Sequence, residues 1–318
     1  MTDRLEFILF SFFGFLVRLM PLRLAQSFGK NVGSLAYLIA WQRRAIAIDN
    51  LTHAFPEKSR NEIRRIALGA FRNYAISISE FLWFPRLTPK RLRKLVRVVN
   101  VDLVDEAHSR GKGIIFMSGH FGNWELTALA SGHFTGYPVT IIVQNQRNRL
   151  VNEVINRYRC LWGNSVVPME SSVREFLKKL AEGEAVAMLA DQSAPMEGLY
   201  VEYFGRPAAT HEGPAIFSLR TGAPIVMGFL VRRANGRYEL TYEEVPTSNL
   251  NDYSEQNVAE LTRRHVALLE KYVRMYPEQW LWLHRRWKHT DKSPKMKDES
   301  NARVIASEPR EARVLSDL

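Results

Sequence analysis

Residues 113–125 read Gly113-Ile114-Ile115-Phe116-Met117-Ser118-Gly119-His120-Phe121-Gly122-Asn123-Trp124-Glu125. Gly113 to Ser118 is a short apolar run of the kind that fills a strand buried on both faces. Two glycines then flank a histidine, and a helix is predicted from Trp124. Strand, glycine turn and helix form the repeating unit of an α/β domain, and ligands bind at the C-terminal ends of its strands. Glycines at such an end let a substrate approach the backbone closely.

The chain on either side repeats this texture. Val139–Val143, Ser165–Val167, Ala185–Ala190, Pro224–Val231 and Tyr238–Val245 read as further strands. Trp124–Ser131, Asn148–Leu161, Ser172–Glu182 and Pro214–Arg220 read as helices between them, and Val258–Tyr276 as a long amphipathic helix. The predicted fold is α/β: a mixed, largely parallel sheet flanked by helices, with an N-terminal membrane-associating helix. Residues 1–41 read as membrane-anchor helices and 42–98 as a basic helical region packing on the core. Residues 99–289 read as the catalytic α/β core. From 290 to 318 the chain is polar and aperiodic, the composition of a disordered tail.

Within 42–98, apolar residues recur at helical spacing from Ile63 through Ile66, Ala67, Ala70, Phe71 and Tyr74 to Ile78. Phe81, Leu82, Trp83 and Phe84 end that run and read as exposed aromatics. The basic run Lys90–Arg97 reads either as a solvated helix face or as a patch that faces phosphate.

Phe7–Val17 is an unbroken uncharged run, but a bilayer span needs roughly 20 apolar residues. Arg18 and Pro21 interrupt its extension, and a second apolar stretch, Val32–Trp41, runs into Arg43 and Arg44. There is no basic leader with a small-residue cleavage site, so a removable signal peptide is not expected. Two readings stand. The segment either spans obliquely or lies in the membrane interface, its bases toward anionic lipid, or it is core helix of a soluble domain.

Across 318 residues, 44 Lys and Arg stand against 33 Asp and Glu, a formal charge of +11. That excess calls for an anionic partner: nucleic acid, a membrane surface, or a phosphorylated or acidic substrate. The single cysteine, Cys160, excludes a disulfide framework and any multi-cysteine metal site. The His-Glu-x-x-His zinc signature, the Gly-x-Ser-x-Gly elbow and the phosphate-binding Gly-x-x-x-x-Gly-Lys loop are all missing. No metal and no cofactor are expected.

His120 and Glu125 are five residues apart, about 140° around one continuous helix. They can pair only if His120 sits in the turn before the helix, which the glycines permit. An imidazole oriented by a carboxylate is what a general base needs to take a proton from a hydroxyl. The alternative is a structural turn with an incidental histidine.

The sequence at this point resembles a known family. His-(four residues)-Asp/Glu marks the glycerolipid and lysophospholipid acyltransferases. The form Gly119-His120-Phe121-Gly122-Asn123-Trp124-Glu125 is similar to the late acyltransferases of bacterial lipid A biosynthesis, the lauroyl/myristoyl transferases. Four further blocks follow in that family's order: Asn156-Arg157-Tyr158-Arg159, Leu189-Ala190-Asp191-Gln192, Phe204-Gly205-Arg206-Pro207-Ala208-Ala209-Thr210, and Pro277 to Lys288. The resemblance covers roughly residues 5 to 290. It departs where many members carry Tyr-Arg-Pro after the second strand. Here Val143-Gln144-Asn145 stands instead, with Arg147 and Arg149 close by.

The resemblance implies that His120 is the general base, Glu125 its partner, and Arg159 the stabiliser of the thioester oxyanion. It makes Asp191 an acidic residue needed for activity. It also implies substrate-binding roles for Asn123, Arg157, Gln192 and Thr210. Trp280 to Lys288 alternates aromatics with bases, and Arg285, Arg286 and Lys288 read from that pattern as candidates for contact with a lipid phosphate, the alternative being a helix end that packs its tryptophans into the core. The implied activity is transfer of a fatty acyl chain from acyl-acyl carrier protein to a hydroxyl of a 3-hydroxyacyl chain on a lipid A precursor, with no covalent enzyme intermediate. The place is the cytoplasmic side of the bacterial inner membrane. The acidic carrier, the glycolipid and the membrane then account for the positive charge, and nucleic acid is not expected as a partner. Another acceptor, such as a phosphatidylinositol mannoside or a lysophospholipid, is the nearest alternative. A non-catalytic basic protein that binds membrane or nucleic acid is the remote one.

Overall fold

A computed structural model describes residues 2–250 and 252–290; all of the expected polar tail except Thr290 lies outside them. The chain begins with helices α1 (Thr2–Leu19), α2 (Leu22–Ile39), α3 (Trp41–Ala54), α4 (Arg60–Trp83) and α5 (Pro89–Leu95). Pro21 separates the first two. Ser59 caps α4, accepting from the Glu62 amide while the Glu62 carboxylate accepts from the Ser59 amide, the reciprocal arrangement that satisfies two otherwise orphaned donors.

Then follow β1 (Val96–Val98), α6 (Asp102–Ser109), β2 (Ile114–Ser118), α7 (Trp124–Thr135), β3 (Val139–Val143), α8 (Arg149–Arg159), β4 (Ser165–Pro168), α9 (Ser172–Ala181) and β5 (Ala185–Leu189). A hairpin of β6 (Leu199–Tyr203) and β7 (Arg206–Thr210) leads to α10 (Gly213–Thr221), β8 (Ile225–Arg232), β9 (Tyr238–Glu244) and α11 (Glu255–Met275). The seven-stranded sheet runs β1-β9-β8-β2-β5-β3-β4, with β6-β7 as a separate pair. Every neighbouring pair in the large sheet is parallel except β8 and β9. This is the expected mixed, largely parallel α/β sheet.

Strand β2 lies at its centre and all five of its residues are buried. Its side chains alternate between two cores: Ile115 and Met117 enter one with Val186, Met188 and Phe229, while Ile114 and Phe116 enter the other with Ala185, Ala187 and Leu230. Period-two alternation with both faces covered explains the continuous apolar run in the sequence.

Strand β1 was not expected. The basic run read as helix ends at Leu95, and Val96–Val98 pair with Tyr238–Leu240 of β9. Lys90, Arg91, Arg93 and Lys94 are exposed on α5 while Leu92 is buried. The aromatics before it are a correction: Phe81, Leu82, Trp83 and Phe84 are buried, not exposed. They pack against α1 and its neighbours, with the Trp83 indole donating to the Met20 carbonyl.

No helix of the described residues is long and apolar enough to cross a membrane. Helices α1 and α2 are two-faced. Gly14, Val17, Ala25, Gly29 and Gly33 are buried, whereas Ile8, Leu9, Phe12, Leu19, Leu35, Leu38 and Ile39 are more than half exposed. The inner face packs mainly on α4. A Cβ on Gly33 would lie 2.6 Å from Arg72 Cα and from the Phe71 carbonyl, and one on Gly29 2.8 Å from Ala75 O. These two glycines, four apart, let the helix backbones touch.

Candidate active site

Register builds the site. Strands β2 and β5 are parallel neighbours with Ser118 opposite Leu189. Two residues beyond each strand end stand His120 and Asp191, so the pairing of the strands brings them side by side. The Asp191 carboxylate accepts from His120 Nδ1 at 2.7 Å, from the His120 amide at 2.7 Å and from the Trp280 indole at 2.8 Å. Gly119 is small because Asp191 Oδ2 lies 3.0 Å from where its Cβ would be. Gly122 has φ of 59°, and a Cβ there would fall 1.9 Å from the Leu230 carbonyl. Only glycine meets both demands.

The expected pairing of His120 with Glu125 is not what the structure contains. His120 does sit in the turn before α7, but Asp191 takes its Nδ1. Glu125, in the first turn of α7, instead binds Arg159 at the end of α8 through a two-pronged contact of 2.6 and 2.9 Å. The guanidinium fork matches a carboxylate geometry that the imidazole cannot offer. That contact uses Nε and Nη2 of Arg159 and leaves Nη1 for another acceptor.

Gln192 joins the site. Its side-chain nitrogen is 3.3 Å from His120 Nε2. With the His120 proton on Nδ1 toward Asp191, Nε2 carries the lone pair and Gln192 donates to it. Trp124 lies against the imidazole, ring centres 5.1 Å apart.

The other expected binding residues divide. Asn123 is fully buried: its oxygen caps α7 at the Leu126 amide and its nitrogen donates to Glu80. Thr210 is buried, donating to the Ala208 carbonyl and accepting from Arg286. Arg286 is itself only 2% exposed and cannot reach a lipid headgroup. All three are buried away from substrate, where substrate contacts were expected. Arg157 is exposed and, two residues from Arg159, points about 200° away around α8. Arg285 is exposed and free to meet solvent or an anion. Arg147, beside the Gln144 departure, is tied to Glu6 of α1 at 2.6 Å.

Sequence reasoning missed the strap formed by Trp280–Arg286. Trp280 holds Asp191; His284 Nε2 accepts from the Ser193 amide at 3.0 Å; Arg286 donates to the Ala209 carbonyl, which also accepts from the Ala194 amide. The Leu281 amide donates to the His120 carbonyl. Asn50 of α3 anchors the strap, donating to the carbonyls of Trp282 and His284. The block Pro277 to Lys288 was visible as a motif; nothing marked Asn50.

Electrostatics follow from these contacts. Burial pushes the Asp191 carboxyl up, but the charge and hydrogen bonds of His120 and Trp280 overcome it and hold its pKa at about 2. Burial pulls the imidazole of His120 down; Asp191, then Glu125, outweigh it and leave the group above its ordinary value. A histidine oriented at Nδ1 by a buried carboxylate, its side chain still 20% exposed, can take a proton from a hydroxyl. Among the described residues no cluster of three or more His, Cys, Asp or Glu is placed to hold a metal ion.

The family model for bacterial lipid A biosynthesis acyltransferases matches residues 1–289. The chain belongs to that family. It is similar to the lipid A biosynthesis palmitoleoyltransferase of Escherichia coli, with 27% identity over 265 residues, 82% of this chain and 83% of that one. With a lipid A biosynthesis acyltransferase of Haemophilus influenzae it shares 26% identity over 280 residues, 86% and 84% of the two chains. With the phosphatidylinositol mannoside acyltransferase of Mycolicibacterium smegmatis it shares 22% over 277 residues, 86% and 88%. The protein is therefore an enzyme that transfers acyl groups, and the reading as a non-catalytic basic protein falls away.

Proposed function

We propose that this acyltransferase moves a fatty acyl chain from the thioester of acyl-acyl carrier protein to a hydroxyl of a 3-hydroxyacyl chain on a lipid A precursor. The observation that carries the reading is the His120–Asp191 pair at adjacent strand ends in a chain of the lipid A acyltransferase family. Asp191 keeps the His120 proton on Nδ1, so Nε2 accepts the hydroxyl proton as the oxygen attacks the thioester carbon. The tetrahedral oxyanion is stabilised by Arg159, whose guanidinium Glu125 holds in place. The intermediate collapses, the carbon–sulfur bond breaks, and the thiolate leaves with the proton from His120. The ester and the free carrier thiol balance the reaction.

The exposed apolar face of α1 and α2, with the exposed bases of α5, supports binding at an anionic membrane surface. The inner membrane, on its cytoplasmic side, is the place we assign to it. The mannoside relatives favour a second reading in which the acceptor is another glycolipid. The test is purified protein incubated with acyl-acyl carrier protein and a lipid A precursor, beside His120→Ala. Ester formation by the wild type and none by the variant is expected; equal transfer by both overturns the mechanism. Product only with a mannoside acceptor overturns the first reading in favour of the second.

A further inference from the structure

Two arginines of the described fold are almost wholly buried, and they are kept differently. Arg232 has a carboxylate, Glu80, at 2.6 Å, and adds Asn73 and Ser77. Arg286 has none. Its donors go to neutral acceptors, the Ala209 carbonyl and the Thr210 hydroxyl, and its plane lies over the Tyr203 ring at 5.4 Å. A buried cation with no carboxylate in direct contact is costly, so its presence needs a reason other than stability.

The reason lies in the cavity it faces. A space of about 10 Å³ is lined by Ser118, Asp191, Tyr203, His265 and Arg286. The Tyr203 hydroxyl and His265 Nε2 in that wall have no hydrogen-bond partner. His265 is neutral, pulled down to about 3 by burial and by Arg286. The carboxylate in that wall is Asp191. In so dry a setting charges act on one another over longer distances than in water.

We propose that Arg286 is a positioning residue of the active site, its buried guanidinium holding Asp191 as the carboxylate that orients His120. This rests on the reading of His120 as the base. A cation behind Asp191 favours the ionised carboxylate and opposes the imidazolium, offsetting part of the pull that Asp191 and Glu125 exert on His120. The other groups facing this pair are Trp280 and His284 on the strap, Tyr203 on β6, Arg159 on α8 and His265 on α11. Arg286 also grips the carbonyl that holds Ala194, three residues past Asp191, so charge and loop are fixed together.

The experiment is an NMR titration of the His120 imidazole in full-length wild type, Arg286→Met and Arg286→Gln, with melting temperatures alongside. In the neutral variants the His120 midpoint moves up by about half a unit or more. The melting temperatures show whether each variant is folded, the condition for reading its titration. A folded variant whose His120 titrates as in wild type overturns the proposal. So does an Arg286→Met protein that fails to fold, since the guanidinium is then a structural brace. The titration needs no substrate, so absence of acyl transfer in the wild type would count against the proposed function and not against this inference.

Discussion

The contact between Glu125 and Arg159 separates two accounts of the site, and Glu125→Ala tests them. Both side chains are mostly buried, 15% and 18% exposed, and joined by two hydrogen bonds. Removing one partner of a buried ion pair costs about 3–5 kcal/mol. The residual exposure lets water reach the stranded guanidinium, which lowers the expected loss to about 2–3 kcal/mol. For a protein of 318 residues that is a fall of about 3–5 °C in melting temperature. Adding Arg159→Met removes the stranded charge, so the double variant regains most of the loss, with a coupling of about 2 kcal/mol in the cycle. Acyl transfer stays low in all three variants, because the oxyanion has lost either its cation or the carboxylate that holds that cation in place. The assay is thermal unfolding of the two single variants and the double, with initial rates measured in parallel. Additive losses would refute the reasoning and would return Glu125 to His120, as the spacing in the sequence suggests.

Asp191→Asn keeps the shape of the site but frees the tautomer of His120; kcat/KM is expected to fall about 10³-fold or more, and a loss under tenfold contradicts the role. In the proposed mechanism the neutral imidazole of His120 is the active form, and its contacts raise its pKa above the ordinary 6.5. The acid limb of kcat/KM against pH should therefore have its midpoint above 6.5, with rate lost as pH falls through it; a midpoint at or below 6.5 contradicts the contacts described. Gly33→Ala places a methyl carbon 2.6 Å from the backbone of α4. It should cost about 1–3 kcal/mol in thermal unfolding, and an unchanged melting temperature would show that α2 and α4 can part freely.

Six strands were legible, five as short apolar runs and Tyr238–Val245 by its alternation of apolar and polar residues, and all six are in the large sheet. Val96–Val98 was not, because three residues inside a basic run become a strand only through pairing with β9. The β6-β7 hairpin was hidden by its own composition: Phe204 and Gly205, both at positive φ, make its turn and Pro207 interrupts its pattern. His120 could be read from its glycines. Its partner could not, because distance along a helix is visible in a sequence whereas the adjacency of β2 and β5 is not. Glu125 is five residues away and Asp191 seventy-one, yet strand register favours the distant one. Arg286 was equally opaque. In a run of bases nothing distinguishes the one that turns inward from exposed Arg285 and Lys288.

The glycine contacts between α2 and α4 bear on how the enzyme meets its lipid. Backbones in direct contact leave no hinge between the apolar outer face and the helix that carries Asn73, Ser77 and Glu80 under the turn at Gly122. The greasy surface is thus a base plate, not a tether. On the proposed membrane surface, His120 would stand at one height and one tilt above it, and a lipid chain would have to rise to that height to be acylated. Lengthening the loop at Pro21 would not change this reach; thickening the seam between α2 and α4 would.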